Sequence, residues 1–234
     1  MERSRKKFYF VLQSSFLILN KNLMNEHLEH LKEIRTLMER SSKFLSLSGL
    51  SGISAGFCAL IGAWFAYQKL YEDTTLNLFD PLLRRELLFF LLIDATLVLI
   101  SALLLGIFFT IRRARSQNLS IWNPSTKRLL LSMTLPLLVG GIFCIGLINS
   151  GYFWLCFPST LIFYGIALVN AAQYTVNDTY YLGVAEIGLG LTALFFAKWN
   201  LLFWAIGFGL FHIIYGVIMY FQYERKKISA FQSN

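Results

Sequence analysis

The sequence predicts an all-α fold, a polytopic six-helix transmembrane bundle preceded by a cytoplasmic amphipathic helix. Two observations predict it: six long apolar stretches follow residue 43, and the Lys and Arg residues between them fall mostly on alternate sides of the membrane. A helix needs about 20 mostly apolar residues to cross the hydrocarbon core of a bilayer. The fifth stretch meets this length only narrowly. The predicted spans are 44–67, 87–111, 129–149, 152–172, 181–197 and 201–221.

The composition excludes an ordinary soluble globular domain. Of the 234 residues, 56% are hydrophobic and 16% are aromatic, which is typical of a lipid-facing surface with aromatic side chains at the membrane interfaces. Nearly all residues after 43 belong to spans or to short connections. The six-span domain therefore covers residues 44–223, a short tail covers 224–234, and no room remains for a second soluble domain.

The basic residues predict the orientation of the spans. With the N-terminus in the cytoplasm, residues 1–43 carry nine Lys or Arg, the loop after the second span carries five and the C-terminal tail carries three, out of 21 in the chain. The opposite side carries only Lys69, Arg84, Arg85 and Lys198. The positive-inside rule then places both termini in the cytoplasm. The net charge of +8 needs no nucleic-acid partner to explain it.

Residues 1–23 form a basic and apolar N-terminal extension. The apolar part, residues 8–19, is too short to span a bilayer, and no cleavage site for a signal peptidase follows it. Three alternatives remain: an interfacial anchor, a poorly ordered extension, or an upstream segment that precedes a natural start at Met24. We favour the last two.

Residues 24–43 are predicted to form the amphipathic helix, because apolar residues recur there at helical spacing. Four acidic and four basic residues make this segment neutral, whereas a helix on a lipid surface usually has a mainly basic polar face. We therefore expect it to pack against another helix, in the same chain or in a second copy. His27 and His30 have no evident third ligand, so we expect no metal site there.

The first span is rich in small residues that repeat every four positions. Such stripes let helix backbones approach closely in lipid, where packing drives association. We expect this span to be central in the bundle or to contact a second copy or a membrane-protein partner. The helix-packing residues are Ser48, Gly52 and Gly56 on one stripe and Ala55, Ala59 and Ala63 on the other.

Polar residues inside the predicted spans are the candidates for function, because ionisable groups at membrane depth are costly. Glu186 in the fifth span and His212 in the sixth fall at similar depths on an antiparallel hairpin, so they form a plausible hydrogen-bonded pair. One interpretation is a proton-responsive pair, since histidine titrates near neutrality; the other, which we favour, is a structural contact within the hairpin. The secondary intramembrane or interfacial candidates are Asp94, Asn170, Tyr174, Asp178 and Tyr215.

Asp94 lies near enough to the outer end of its span to reach water or the Arg84 and Arg85 guanidinium groups, which favours an interfacial role. Cys144 and Cys156 flank a tight turn, and we expect two buried thiols there. No zinc, serine-hydrolase or P-loop motif occurs, and a single intramembrane histidine cannot supply both axial ligands of a haem. We therefore expect no catalytic residue, no metal and no cofactor.

Two segments, 31–52 and 179–224, resemble a group of small bacterial multi-pass inner-membrane proteins without an assigned activity. The likeness extends over most of the chain from Met24 onward, and it implies a bacterial inner (plasma) membrane location and a natural start at Met24. It implies no catalytic residue. The sequence thus predicts an accessory, scaffold or sensor subunit that acts through helix–helix association, with a small transporter or channel through Glu186 and His212 as the alternative.

Overall fold

The computed structural model describes residues 48–73, 81–117 and 121–225, and every regular element among them is helical. The predicted N-terminal extension, the predicted amphipathic helix at 24–43 and residues 226–234 of the tail lie outside the described residues.

The described residues form six helices in chain order, and short 3-10 turns at Phe153–Leu155 and Ala197–Trp199 precede the fourth and the sixth. The sixth helix is composite, with two α-helical and two π-helical segments. The bounds are α1 Gly49–Asp73, α2 Pro81–Ser116, α3 Pro124–Asn149, α4 Cys156–Ala172, α5 Asp178–Phe195 and α6 at 200–225, which comprises Asn200–Trp204, the π-helix Ala205–Phe211, His212–Met219 and the π-helix Tyr220–Arg225.

Five helical segments of the described chain are long and apolar enough to cross a membrane: Gly49–Leu70, Arg84–Ser116, Pro124–Asn149, Phe153–Ala172 and Ala197–Gln222. They confirm the all-helical class and show that five of the six predicted spans are helices with the length and hydropathy needed to cross a membrane. Helix α5 is not among them. It has 18 residues and includes both Asp178 and Glu186, and these acids lower its apolar character.

One end of the bundle, here called the Gly151 end, is held by two hydrogen bonds from helix side chains to the backbone of the α3–α4 connection. Gly151 has a φ of 86°, a conformation that glycine adopts without steric cost. The Arg84 Nη2 group of α2 donates to the Gly151 carbonyl oxygen at 2.5 Å. The Asn200 Nδ2 group of α6 donates to the Trp154 carbonyl oxygen at 2.9 Å. These bonds join α2, the α3–α4 turn and the start of α6.

Helices α4 and α6 each pack against three other described helices, and helix α1 packs against two, α2 and α6. Its contact with α6 depends on glycine: a Cβ atom on Gly52 would lie 3.1 Å from the Gly216 Cα, and one on Gly56 would lie 2.6 Å from the Gly209 carbonyl oxygen. Gly52 and Gly56 of this stripe therefore pack within the chain, against α6, but two helix partners do not make the first span central, and its contact with a second copy stays a prediction.

The second small-residue stripe also lies mostly inside the bundle, since Ala59 and Ala63 are buried and Ala55 is half-buried. A similar glycine contact joins α4 to α5. A Cβ atom on Gly165 would lie 2.6 Å from the Gly183 carbonyl oxygen. Helix α3 packs against α4, and α4, α5 and α6 together enclose the buried polar groups.

The close contact between α1 and α6 predicts which glycines tolerate a methyl group. In Gly216→Ala the new Cβ meets the backbone of Gly49 and Ile53, whereas in Gly106→Ala it meets no atom within 4 Å. We expect Gly216→Ala to destabilise the protein by about 1–3 kcal/mol, the usual cost of overpacking. Gly106→Ala should be neutral or stabilising by up to about 1 kcal/mol, because alanine favours helix.

Thermal unfolding of both variants in one detergent measures the difference. Equal melting temperatures for Gly216→Ala and Gly106→Ala would show that the α1–α6 approach is not a tight contact.

Candidate functional site

A cluster of three polar side chains lies between α4, α5 and α6, and we call Glu186, His212 and Tyr164 the buried triad. Glu186 is on α5, with its side chain fully inaccessible, and His212 on α6 is 6% exposed. Tyr164 is on α4, and its hydroxyl lies 2.8 Å from His212 Nε2. Each helix of the α4–α5–α6 group thus supplies one polar group to a common point.

The local backbone of α6 positions the histidine. His212 follows directly on the π-helical segment Ala205–Phe211. Such helices are rare in proteins as a whole, but many of those known lie at functional sites. His212 Nδ1 turns back to the Gly207 carbonyl oxygen of this segment at 3.1 Å. The Phe208 ring stacks on the imidazole with centroids 5.9 Å apart, which fixes the plane of the ring.

These contacts assign the proton positions of a neutral His212. A carbonyl oxygen can only accept, so the bond to Gly207 requires a hydrogen on Nδ1. Neutral imidazole then has an unprotonated Nε2, which accepts a hydrogen bond from the Tyr164 hydroxyl. Both ring nitrogens and the tyrosine hydroxyl are thereby satisfied inside the bundle.

The Glu186 carboxyl takes part in neither of these hydrogen bonds. Its Oε1 atom lies 3.5 Å from His212 Nδ1, but neither carboxyl oxygen has a hydrogen-bond partner among the described residues. The carboxyl lies over Gly207, where a Cβ atom would overlap Oε2 and the Leu161 side chain. The structure thus brings Glu186 and His212 together as the sequence predicts, but it forms no hydrogen bond between them, because the Nδ1 hydrogen is directed to the Gly207 carbonyl oxygen.

The sequence analysis missed Tyr164. The sequence feature that could have identified it is its depth in the membrane. The fourth and sixth predicted spans run in the same direction, and Tyr164 and His212 lie about equally far from the starts of these spans. A tyrosine in the middle of an apolar span, at the level of a histidine, needs a partner for its hydroxyl.

Tyr215 makes a separate polar contact, since its hydroxyl lies 2.9 Å from the Thr179 hydroxyl. The other secondary candidates lie towards the opposite end of the bundle from Gly151. The Asn170 carbonyl oxygen accepts from Gln173, Tyr174 packs against a small core of Leu129 and Ala171, and Asp178 begins α5. None of these three belongs to the buried triad.

Asp94 forms no ion pair with a described arginine, so the prediction that it reaches Arg84 or Arg85 is wrong, whereas the alternative that it reaches outer water stays a prediction. The Arg84 guanidinium is held by Gly151 and lies 6.0 Å from the Phe153 ring centroid. The backbones of Arg84 and Asp94 are about 15 Å apart along the helix axis at 1.5 Å per residue. Asp94 instead lines an apolar cavity. Nearby, the Cys156 thiol lies 3.6 Å from the Cys144 carbonyl oxygen, and both thiols are free.

Removal of the Tyr164 hydroxyl tests the hydrogen bonding of the triad. Tyr164→Phe leaves buried Nε2 of His212 without its donor, and we expect a loss of about 1–3 kcal/mol, the usual cost of an unsatisfied buried polar group. Tyr181→Phe is the matched control, because Tyr181 on α5 is 70% exposed; its effect should stay within about 0.5 kcal/mol. Equal stability of the two variants in thermal unfolding would exclude the assigned Tyr164–His212 bond.

Comparison of the chain with protein-family models, with curated proteins and with solved structures finds no match. Within the described part of the chain, no group of three or more His, Cys, Asp or Glu side chains could hold a metal ion. The function therefore has to be inferred from the geometry and chemistry of the bundle itself.

Proposed function

We propose that the chain is a six-span protein of the bacterial inner membrane, with both termini in the cytoplasm. Five spans have the length and hydropathy required. Helix α5 is about 27 Å long at 1.5 Å per residue, close to the thickness of the hydrocarbon core. Its glycine contact with α4 supports a common depth in the membrane, and Glu186, the acid in its interior, points inward. The charge asymmetry supports the orientation.

We propose further that the protein is a non-enzymatic accessory or sensor subunit whose sensing element is the buried triad. The observation that carries this proposal is the fully buried Glu186 carboxyl, which has no hydrogen-bond partner among the described residues and lies 3.5 Å from His212 Nδ1. An ionised carboxylate without hydrogen-bond donors is costly in a low-dielectric interior. A proton gained or lost here therefore changes the free energy of packing α5 against α4 and α6.

The close packing around the triad favours sensing over transport. Gly165 and Gly183 bring α4 and α5 into backbone contact, and Leu161 and Gly207 cover the Glu186 carboxyl. The cavity that Asp94 lines does not include any member of the triad. Because the Glu186 side chain is enclosed by packed helices, a change in its protonation changes how these helices pack. This behaviour is what a sensor requires.

The surface that we propose for association with a partner differs from the small-residue stripe that the sequence predicts. The Gly52 and Gly56 stripe is occupied by α6, so we propose that a second copy or a membrane-protein partner contacts the outer face of α1. That face exposes large apolar side chains, among them Phe57, Trp64 and Phe65. Residues 24–43 remain a proposed second contact.

Proton-coupled transport through Glu186 and His212 is the second candidate. One observation favours it: both Glu186 oxygens lack a hydrogen-bond partner among the described residues, and intramembrane acids often belong to proton relays. A transported proton or cation would supply the missing partner.

Hydrogen–deuterium exchange in lipid nanodiscs tests the sensor proposal. Between about pH 5 and pH 9, an interval that includes the titration of buried glutamic acids in proteins, the wild-type protein should change its protection factors in α5 and α6, which are the exchange rates corrected for the intrinsic effect of pH on amide exchange. Glu186→Gln keeps the shape of the side chain but cannot ionise, and we expect this difference to disappear. Glu86→Gln is the matched control, because Glu86 is exposed near the start of α2, and it should respond like the wild type.

A pH response in Glu186→Gln as large as in the wild type would contradict the sensor proposal. Proteoliposomes that contain a pH-sensitive dye distinguish transport from sensing. A proton leak or uptake in the wild type that Glu186→Gln abolishes would establish transport. If the wild type moves no protons but keeps its hydrogen-exchange response, sensing is the function.

A further inference from the structure

A second polar site lies in a cavity of about 130 Å³ between α1, α2, α4 and α6. It is separate from the buried triad, and its argument does not depend on the sensor proposal. Its walls are almost wholly apolar and include three aromatic rings. The residues that matter here are Ala63, Asp94, Phe153, Phe157, Thr160 and Trp204. A cavity of this size lined by apolar side chains holds a molecule about as large as benzene.

The single charged group in this lining is the Asp94 carboxylate. It has no hydrogen bond or ion pair with any described residue, and it lies against α1 at Gly62, where a Cβ atom would be 3.4 Å from Oδ2. The Thr160 hydroxyl does not serve it, because that hydroxyl donates to the Phe157 carbonyl oxygen at 2.8 Å. An intramembrane carboxylate without a partner indicates a binding site for a positive charge.

The residues that line the cavity favour an organic ammonium group over a metal cation. Calcium takes 6–8 oxygen ligands and magnesium six, and one carboxylate among apolar walls cannot provide them. An ammonium group needs only the carboxylate and gains from nearby aromatic faces, here Phe157 and Trp204. The remaining volume suits one ring or a short alkyl chain on the same molecule.

We propose that Asp94 and this cavity bind a small lipophilic amine, with its ammonium group on the Asp94 carboxylate and one benzene-sized apolar group between α1, α4 and α6. The geometry resembles that of most small-molecule sites, which are apolar pockets with a few placed polar groups.

Binding of 2-phenylethylamine to the purified protein in nanodiscs tests the proposal, with the neutral isostere 2-phenylethanol as the reference ligand. By titration calorimetry, the amine should bind the wild type at least roughly tenfold more tightly than the alcohol, about 1.4 kcal/mol. In Asp94→Asn this preference should disappear while the alcohol binds as before. Equal affinities in the wild type, a preference kept by Asp94→Asn, or no binding of either ligand would overturn the proposal.

A second pair of variants tests the cavity if Asp94→Asn does not fold. Thr160→Leu fills part of the cavity and removes only a hydrogen bond to its own helix. Thr192→Leu removes the corresponding bond, from Thr192 to the Gly188 carbonyl oxygen, on an exposed face of α5. Thr160→Leu should weaken both ligands roughly tenfold or more, and Thr192→Leu should weaken neither. Unchanged affinity of the amine in Thr160→Leu would exclude this cavity as its site.

Discussion

A lipid bilayer supplies no hydrogen bonds, so each polar group within it must find its partner in the protein. In this bundle that constraint bears most heavily on Glu186, which is fully buried. His212 satisfies its own nitrogens with Tyr164 and Gly207, and Glu186 is left with an imidazole nitrogen at 3.5 Å. The free energy of packing the three enclosing helices therefore depends on the charge of this one carboxyl.

The glycine contacts explain why that charge cannot be relieved by small movements. Gly165 and Gly183 hold α4 and α5 in backbone contact, and Gly207 brings α6 under the carboxyl. On the other side, Gly52 and Gly216 hold α1 against α6. Interiors packed in this way shift between discrete arrangements and do not deform continuously. On the sensor proposal, a protonation change at the triad would be transmitted to α6 and to its neighbour α1.

Much of the fold follows from the sequence, because hydropathy and small-residue stripes act over whole helices. The small-residue periodicity of the first span predicted its close packing, and the similar depths of Glu186 and His212 predicted their contact. The sequence could not show that a π-helical segment turns the Gly207 carbonyl towards His212, since that depends on backbone hydrogen bonding within α6. Nor could it show that Arg84 is engaged by Gly151, a contact between residues far apart in the chain, which leaves Asp94 without an arginine partner.

The central claim is that Glu186 exchanges a proton inside the packed bundle. Infrared difference spectroscopy between low and high pH observes this directly, because a protonated carboxyl has a C=O stretching band that a carboxylate lacks. Specific isotope labelling of glutamate and comparison with Glu186→Gln assign the band. The account predicts a glutamate carboxyl band that changes with pH in the wild type and is absent from the variant. An identical difference spectrum for both proteins would contradict it.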